Sequence, residues 1–218
     1  RLHNYLEYAL DYATAGFYKE ASSLVQLYLS VAGNAHPMIH YYLGWFSSQD
    51  GNKGESLKFF EQASQSLPDY CFPYKLEEIV ILKSAIEMNP LDSNAYYYLG
   101  NLWYDKRQYD EAIDCWERSA RINDSFPTVH RNLALAYYNK CKDPVRSLAS
   151  MEIATRLDPS DARVLMELDQ LYKTLNRPVA ERLSILEGNI EIVKNRDDLY
   201  LELITLYTLS GNFSIANE

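Results

Sequence analysis

The stretch that decides the fold is SNAYYYLGNLWYDKRQYDEAIDCWERSARIND, residues 93–124. Large side chains recur through it at helical spacing, and two small residues, Gly100 and Ala112, stand where the two helices of a hairpin would meet. Small residues at such a contact let two helices approach closely, while Trp103 and Trp116 fill the space around it. The stretch therefore predicts two antiparallel α-helices, called helix A and helix B below.

The same pattern recurs along the chain. Taking the small residue of helix B as the marker of each repeat, the equivalent positions are Ala21, Ser56, Glu78, Ala112, Ser147, Glu181 and Ala216. Successive intervals are 35, 22, 34, 35, 34 and 35 residues, so five of the six agree with a period near 34. A repeated helix pair with this period is typical of an α-solenoid, in which each repeat packs on its neighbours.

The 22-residue interval is shorter than the period by 34 minus 22, or 12 residues, which is about one helix. Between Pro68 and Leu76 the chain has aromatic residues and a proline in place of an amphipathic helix. We predict that this helix A is missing or reduced to one turn, and that the stack bends there with Tyr70, Phe72 and Tyr74 filling the seam. A break into two separate arrays is the alternative.

The repeat positions predict three regions. Residues 1–68 form N-terminal helix pairs, residues 69–92 form the truncated repeat, and residues 93–218 form a C-terminal array that stops within its last repeat. Because the chain starts at Arg1 inside a helical pattern and ends a few residues into a helix B, we expect the natural protein to extend further.

The central stretch contains the pattern Tyr96-x-x-Leu99-Gly100-x-x-Trp103, followed by Tyr109, Ala112, Trp116 and Ala120. This pattern resembles that of the tetratricopeptide repeat family. The resemblance extends over the whole chain and is strongest in residues 93–124. It implies an all-α fold, a right-handed α-solenoid of antiparallel helix pairs, whose concave face binds a protein or a peptide.

A second resemblance concerns residues 70–79, 165–172 and 196–203. They look like the C-terminal repeat region of large, uncharacterised bacterial proteins in which a β-rich region similar to carbohydrate enzymes precedes the repeats. The resemblance implies a bacterial origin and a sugar-related parent protein. It assigns no activity to the residues of this chain.

Composition and charge exclude several function classes. The formal net charge of -9 and the pI near 5.0 would repel a polyanion, so we expect no nucleic-acid partner. No apolar stretch approaches the ~18 residues of a membrane span, so no membrane insertion is expected. Cys71, Cys115 and Cys141 form neither a disulfide framework nor a CxxC zinc motif, and free thiols favour a cytoplasmic location.

The sequence also lacks the motifs of catalysis. His40 and His130 fall at the first large position of helix A, where packing explains them, and His36 precedes Pro37 at a helix start, so a zinc site built from His36 and His40 is disfavoured. There is no phosphate-binding loop and no nucleophile elbow. We therefore expect no enzyme activity, no metal and no cofactor.

The concave face is predicted from the helix-A positions that turn away from helix B. The candidate peptide-binding residues are Tyr97, Asn101, Tyr104, Arg131, Tyr138, Asn139, Arg163 and Lys173. The wider lining also holds Asn94, Asp105, Thr128, Met166 and Gln170. Aromatic rings mixed with amide and guanidinium donors can stack on an extended peptide and hydrogen-bond to it.

The family resemblance suggests one specific version of this groove, a carboxylate clamp made of two Asn and three basic residues. Asn101, Asn132 and Arg163 match that clamp, whereas Tyr97 and Glu167 replace basic residues. The clamp is therefore incomplete, and hydrogen bonds within the stack are the simpler explanation of the two asparagines.

Three functions follow from these observations. The leading hypothesis is a non-catalytic interaction scaffold that binds a protein or peptide segment on its concave face. The second is a rigid spacer or a homodimerisation module. The third is an accessory carbohydrate-binding region of a larger bacterial protein, with Tyr97, Tyr104 and Tyr138 as sugar-stacking platforms and Trp103 in the core.

Overall fold

A computed structural model describes residues 2–32, 36–68 and 71–213, and these residues form helices and connecting segments with no β-strand. The first seven helices are α1 (Leu2–Thr14), α2 (Tyr18–Ala32), α3 (Pro37–Gln49), α4 (Lys53–Ser64), α5 (Glu77–Met88), α6 (Ser93–Asp105) and α7 (Tyr109–Ile122). The remainder are α8 (Pro127–Ala136), a π-helical turn (Tyr137–Cys141), α9 (Pro144–Leu157), α10 (Ala162–Thr174), α11 (Val179–Gly188), α12 (Ile190–Val193) and α13 (Asp197–Leu209). The predicted all-α fold is confirmed.

The chain divides into two compact units, residues 1–123 and residues 124–218. The described residues of the first unit form three helix pairs, α1 with α2, α3 with α4, and α6 with α7, together with the single helix α5. In the second unit α8 packs on α9, and α9 packs on α10. In the pairs α1–α2, α3–α4, α6–α7 and α8–α9, a helix A is followed by a helix B, as the sequence predicts.

Polar side chains at the ends of the connections explain where several helices begin. The side chains of Asn52, Asp92, Asp143 and Asp161 accept backbone N–H groups at the first turns of α4, α6, α9 and α10. Such caps satisfy N–H groups that have no partner inside the helix, and each typically contributes about 1 kcal/mol. The capping residues therefore set where these four helices begin.

Helix A and helix B touch through a small residue in the two best-formed pairs. A Cβ atom added to Gly44 would lie 2.6 Å from the ring of Phe60, and one added to Gly100 would lie 2.5 Å from Cδ1 of Trp116. In the first of these pairs Ser56 donates its hydroxyl to the carbonyl oxygen of Gly44 at 2.7 Å. The predicted close approach of the two helices at the small residues is therefore present.

The helix pair formed by α10 and α11 departs from this pattern. Asp169 stands where Gly100 stands in the central repeat, and the guanidinium of Arg182 donates to both of its carboxylate oxygens at 2.9 and 2.7 Å. Both residues are buried. The sequence marker Glu181 is one residue out of register, because its side chain is half-buried beside Arg177 on the surface. The last marker, Ala216, lies outside the described residues.

A regular repeat would have a helix A between α4 and α5. Residues 71–75 form no helix, in agreement with the prediction that this helix is missing or reduced. Cys71 is 1% exposed, whereas Phe72 and Tyr74 are 69% and 51% exposed, so the prediction that these aromatics fill the seam is wrong. The small Cys71 side chain lies inside instead, beside the Tyr98 hydroxyl. Tyr70 lies outside the described residues.

The single helix α5 takes its support from the neighbouring pairs. It packs against α3 and α6 and also touches α4. The Glu78 carboxylate accepts the hydroxyl of Tyr42 at 3.0 Å and the N–H groups of Tyr74 and Lys75 at 2.7 and 2.8 Å. One buried carboxylate therefore ties α5 to α3 and to the extended segment before it.

Tyrosines and tryptophans contribute unevenly to the core. Tyr12, Tyr137 and Tyr172 stand in their repeats where Trp103 stands in the central one, a position that predicts burial. Tyr137 and Tyr172 are buried, and so is Trp116, but Tyr12 is 46% exposed, so the prediction for Tyr12 is wrong. Trp103 is half-buried, with the Lys83 ammonium 5.5 Å from its ring centroid.

We expect Gly100→Ala to lower the free energy of unfolding by about 1–3 kcal/mol, because the added methyl group overlaps the Trp116 ring in a packed core. Gly54→Ala is the matched control, since Gly54 also lies in a helix but a Cβ there meets no atom within 4 Å. That control should leave stability unchanged or raise it by up to about 1 kcal/mol. Denaturant titration followed by circular dichroism measures both, and equal effects would contradict the close contact.

A second prediction concerns the buried carboxylate that caps α6. Burial raises the pKa of Asp92 to about 6, although the Ala95 N–H and the Tyr41 hydroxyl, which donate to it, favour the charged form. A carboxyl group with a raised folded-state pKa stabilises the fold less as pH rises through that value. As the pH rises from 4 to 7.5, the free energy of unfolding of the wild type should therefore fall by about 2 kcal/mol relative to that of Asp92→Asn, which keeps a neutral cap.

The measurement is the free energy of unfolding of both proteins across that pH range. Taking the difference between the two curves removes the titration of the other acidic groups. If the two curves ran parallel, the raised pKa would be refuted.

Candidate functional site

The predicted binding residues of the first unit are used in packing. Tyr97 is 4% exposed. The amide oxygen of Asn101 accepts the indole N–H of Trp116 at 3.0 Å. The Tyr104 ring lies 5.0 Å from that of Tyr109 and 5.3 Å from that of Trp116. The structure thus places these three candidates within the α6–α7 pair, and for Asn101 it agrees with the simpler explanation by hydrogen bonding within the stack.

Two of the three cationic candidates of the second unit, Arg131 and Lys173, are paired with carboxylates of other helices. The guanidinium of Arg131 donates to both oxygens of Glu167 at 2.7 and 2.5 Å, which joins α8 to α10. Lys173 donates to both oxygens of Glu202 at 2.8 and 3.1 Å, which joins α10 to α13. A cation already neutralised in this way attracts a peptide carboxylate much less than a free one.

The other two polar candidates are exposed. Arg163 lies in the first turn of α10, 3.6 Å from the carboxylate of Asp161. Asn139 lies in the π-helical turn after α8. Neither of them lines the cavity described next.

A cavity of about 160 Å³ lies in the second unit between α8, α9 and α10. Its apolar lining comes from Ala134, Leu135, Met151 and Leu171, and its polar lining from Tyr138, Ser147, Glu167, Gln170 and Thr174. Concave sites with a mostly apolar wall and a few polar groups are typical of binding sites. We call this cavity and its lining the α8–α10 groove.

The sequence identified only part of this groove. Tyr138 and Gln170, which the sequence predicts on the binding face, both line this groove. Leu135 and Leu171 were missed because an apolar residue in helix A gives the same signal whether it faces the core or a groove. The cavity itself depends on the space left between α8 and α10, which no local pattern specifies.

An irregular turn shapes one side of the groove. Residues Tyr137–Cys141 continue α8 as a π-helix, and the chain then leaves through Lys142 in the left-handed region at φ 55°. Beneath it Tyr137 is buried, with the Arg146 guanidinium 4.3 Å from its ring centroid. A π-helical turn adds a residue to the helix and is frequent at functional sites. Here it carries Tyr138 at the groove.

Two of the three thiols are buried. Burial raises the pKa of the Cys71 and Cys115 thiols to about 12, so both are protonated at neutral pH. Cys141 is exposed, and all three cysteines are free.

His130 is buried and His40 is half-buried, and both pack against their neighbours. Burial lowers the pKa of His40 and His130. His40 stacks on Phe59 at 6.4 Å between ring centroids, and Nε2 of His130 lies 3.1 Å from the carbonyl oxygen of Asp124. Across the described ranges, no three His, Cys, Asp or Glu residues come together in a way that could hold a metal ion.

None of the helices in the described part of the chain combines the length and the apolar character needed to cross a bilayer.

Comparison with known proteins places the fold. Residues 100–140 match the family model described as TPR repeat, that is, tetratricopeptide repeat. The chain is similar to YrrB, described as a TPR protein with an unusual peptide-binding site, at 18% identity and a TM-score of 0.53, covering 83% of this chain and 81% of YrrB.

Two further solved structures have a similar fold. The C-terminal part of a TPR repeat-containing protein from Cytophaga hutchinsonii is 17% identical, with a TM-score of 0.52 over 99% of this chain and 79% of that one. MamA is 16% identical, with a TM-score of 0.50 over 86% of this chain and 95% of that one. The match at residues 100–140 and the ordered helix pairs together identify a tetratricopeptide repeat fold in this chain.

Proposed function

We propose that this protein is a non-catalytic interaction scaffold that binds a segment of a partner protein on the helix-A side of its repeats. The observation that carries the proposal is the α8–α10 groove, an open cavity of about 160 Å³ between two successive A helices. Repeat arrays commonly bind partners on such surfaces. YrrB, a protein of similar fold that has an unusual peptide-binding site, supports the same function.

The groove has the mixture of groups that suits a peptide. Leu135, Met151 and Leu171 offer apolar surface to a side chain. Tyr138 and Gln170 supply a hydroxyl and an amide that can hydrogen-bond to a peptide backbone. A few buried apolar contacts with a polar rim are enough for a micromolar complex, which requires about -8 kcal/mol.

Charge argues against the carboxylate-clamp version of this function. Glu167 is paired with Arg131, Asn101 accepts from Trp116, and Tyr97 is buried. Three of the five clamp positions, Tyr97, Asn101 and Glu167, are thus engaged inside the protein. The proposed partner segment is therefore bound by its side chains and backbone rather than by a terminal carboxylate.

The same packing weakens the carbohydrate alternative. Of the three tyrosines considered as sugar platforms, Tyr97 is buried and Tyr104 lies against Tyr109 and Trp116. Of the three, Tyr138 alone lines the groove. A spacer or homodimerisation role and a sugar-related parent protein remain predictions from the sequence.

Selection from an unbiased peptide library tests the proposal. A phage-displayed library of random peptides, each about twelve residues long, is selected on the immobilised chain, and the enriched peptides are titrated against purified protein. We expect binders whose affinity falls about tenfold or more in Tyr138→Ala combined with Gln170→Ala.

The matched control is Tyr8→Ala, because Tyr8 is a 61% exposed tyrosine that does not line the groove. That variant should bind the selected peptides as the wild type does. Failure to enrich any peptide, or binding that the groove substitutions leave unchanged, would show that the α8–α10 groove is not the interaction site.

A further inference from the structure

The first unit contains a serine equivalent to one that lines the α8–α10 groove. Ser56 and Ser147 occupy the same place in their repeats, and each donates its hydroxyl to a carbonyl oxygen of its helix A, Gly44 at 2.7 Å and Ala134 at 2.8 Å. In the second unit Ser147 lines the open cavity. In the first unit the Ser56 hydroxyl lies 3.3 Å from the sulfur of Met88. The two equivalent serines therefore face an open space in one unit and a methionine in the other.

Met88 is brought to Ser56 by α5, the helix B whose helix A is missing. It is the last residue of α5, which packs against α3 and α6, the A helices on either side of the missing one. Ile81, Leu82 and Ala85 on the same helix are buried. The chain thus shows how a single helix lies against two A helices and directs a methionine to the helix A–helix B contact.

We propose that the α8–α10 groove takes a methionine or leucine side chain presented by a helix of a partner protein, in the way that Met88 is presented to Ser56. This inference rests on the proposed function and names the chemistry of its partner. The occupant is a helix because the segment that meets the equivalent serine is a helix. The anchor is aliphatic because the groove wall holds Ala134, Leu135, Met151 and Leu171.

The size and charge of the groove agree with that anchor. A dry apolar cavity of about 150 Å³ accommodates a benzene-sized group, and the groove measures about 160 Å³. Among the described residues that line it, the one charged side chain is Glu167, which is already paired with Arg131. A charged side chain entering the groove would lose its hydration without gaining a free counter-charge, whereas a flexible thioether or an aliphatic chain meets no such penalty.

The test is a helix-based display library selected on the full chain. The library is built on residues 76–90, LEEIVILKSAIEMNP, with the position of Met88 encoding all amino acids and the solvent-facing positions varied. We expect enrichment of Met, Leu or Ile at that position. Enrichment of charged or small residues, no preference there, or no binders from this library would overturn the inference.

Two groove variants locate the bound helix by fluorescence anisotropy with a labelled selected peptide. Leu135→Asp places a charge in the lining, and Gln170→Trp narrows the groove from an exposed position without altering the core. Both should weaken binding about tenfold or more, whereas Leu201→Asp, at a 63% exposed leucine in the same unit, should not. Unchanged affinity in Gln170→Trp, with the fold checked by circular dichroism, would also overturn the inference.

The outcome is separable from that of the proposed function. Binders that emerge from the unbiased peptide library but not from the helix library would retain the scaffold function and reject a helical apolar anchor. A selected peptide that is displaced by a second copy of the protein would identify self-association and would equally reject a partner helix.

Discussion

The contact between helix A and helix B at a residue without a side chain is the constraint on which the repeat depends. At Gly44 and Gly100 an aromatic ring from helix B, Phe60 or Trp116, occupies the volume that a Cβ would need. A ring seated directly on the backbone sets both the distance between the helices and their register. Because the ring comes from one helix and the gap from the other, the two residues keep a fixed separation in sequence, which is 16 residues both from Gly44 to Phe60 and from Gly100 to Trp116.

The α10–α11 pair shows what happens when this contact is replaced. Asp169 stands in place of the glycine, and Arg182 reaches it and also donates to Glu202 of α13 at 2.6 Å. Burying charges is costly, but here each charge has a partner, because the Arg182 guanidinium donates to Asp169 and Glu202, and Lys173 also donates to Glu202. Directional ion pairs thus join α10, α11 and α13 in a region where a close helix contact is no longer possible.

The sequence predicts the elements of this fold better than their surroundings. The period predicts the helix pairs, and the short interval predicts the missing helix A, because both are set by residue spacing alone. The candidate site was only partly predictable: Tyr138 and Gln170 line the groove, whereas Tyr97 and Tyr104 are packed. Helical periodicity assigns a residue to a face of its helix, but whether that face stays open depends on which neighbour covers it.

The single helix α5 explains why the surface beside Ser56 is covered in the first unit while the surface beside Ser147 is open in the second. A helix with buried Ile81, Leu82 and Ala85 needs apolar partners, and without a helix A of its own it finds them on α3 and α6. By packing there, α5 covers part of the surface of the A helices of the first unit, including the place beside Ser56 that Met88 occupies. In the second unit α8, α9 and α10 follow one another without an inserted helix, and the corresponding place beside Ser147 is the open cavity. In the first unit α5, which lacks a helix A of its own, thus covers the surface beside Ser56. In the second unit the regular succession of helices leaves the equivalent surface beside Ser147 open.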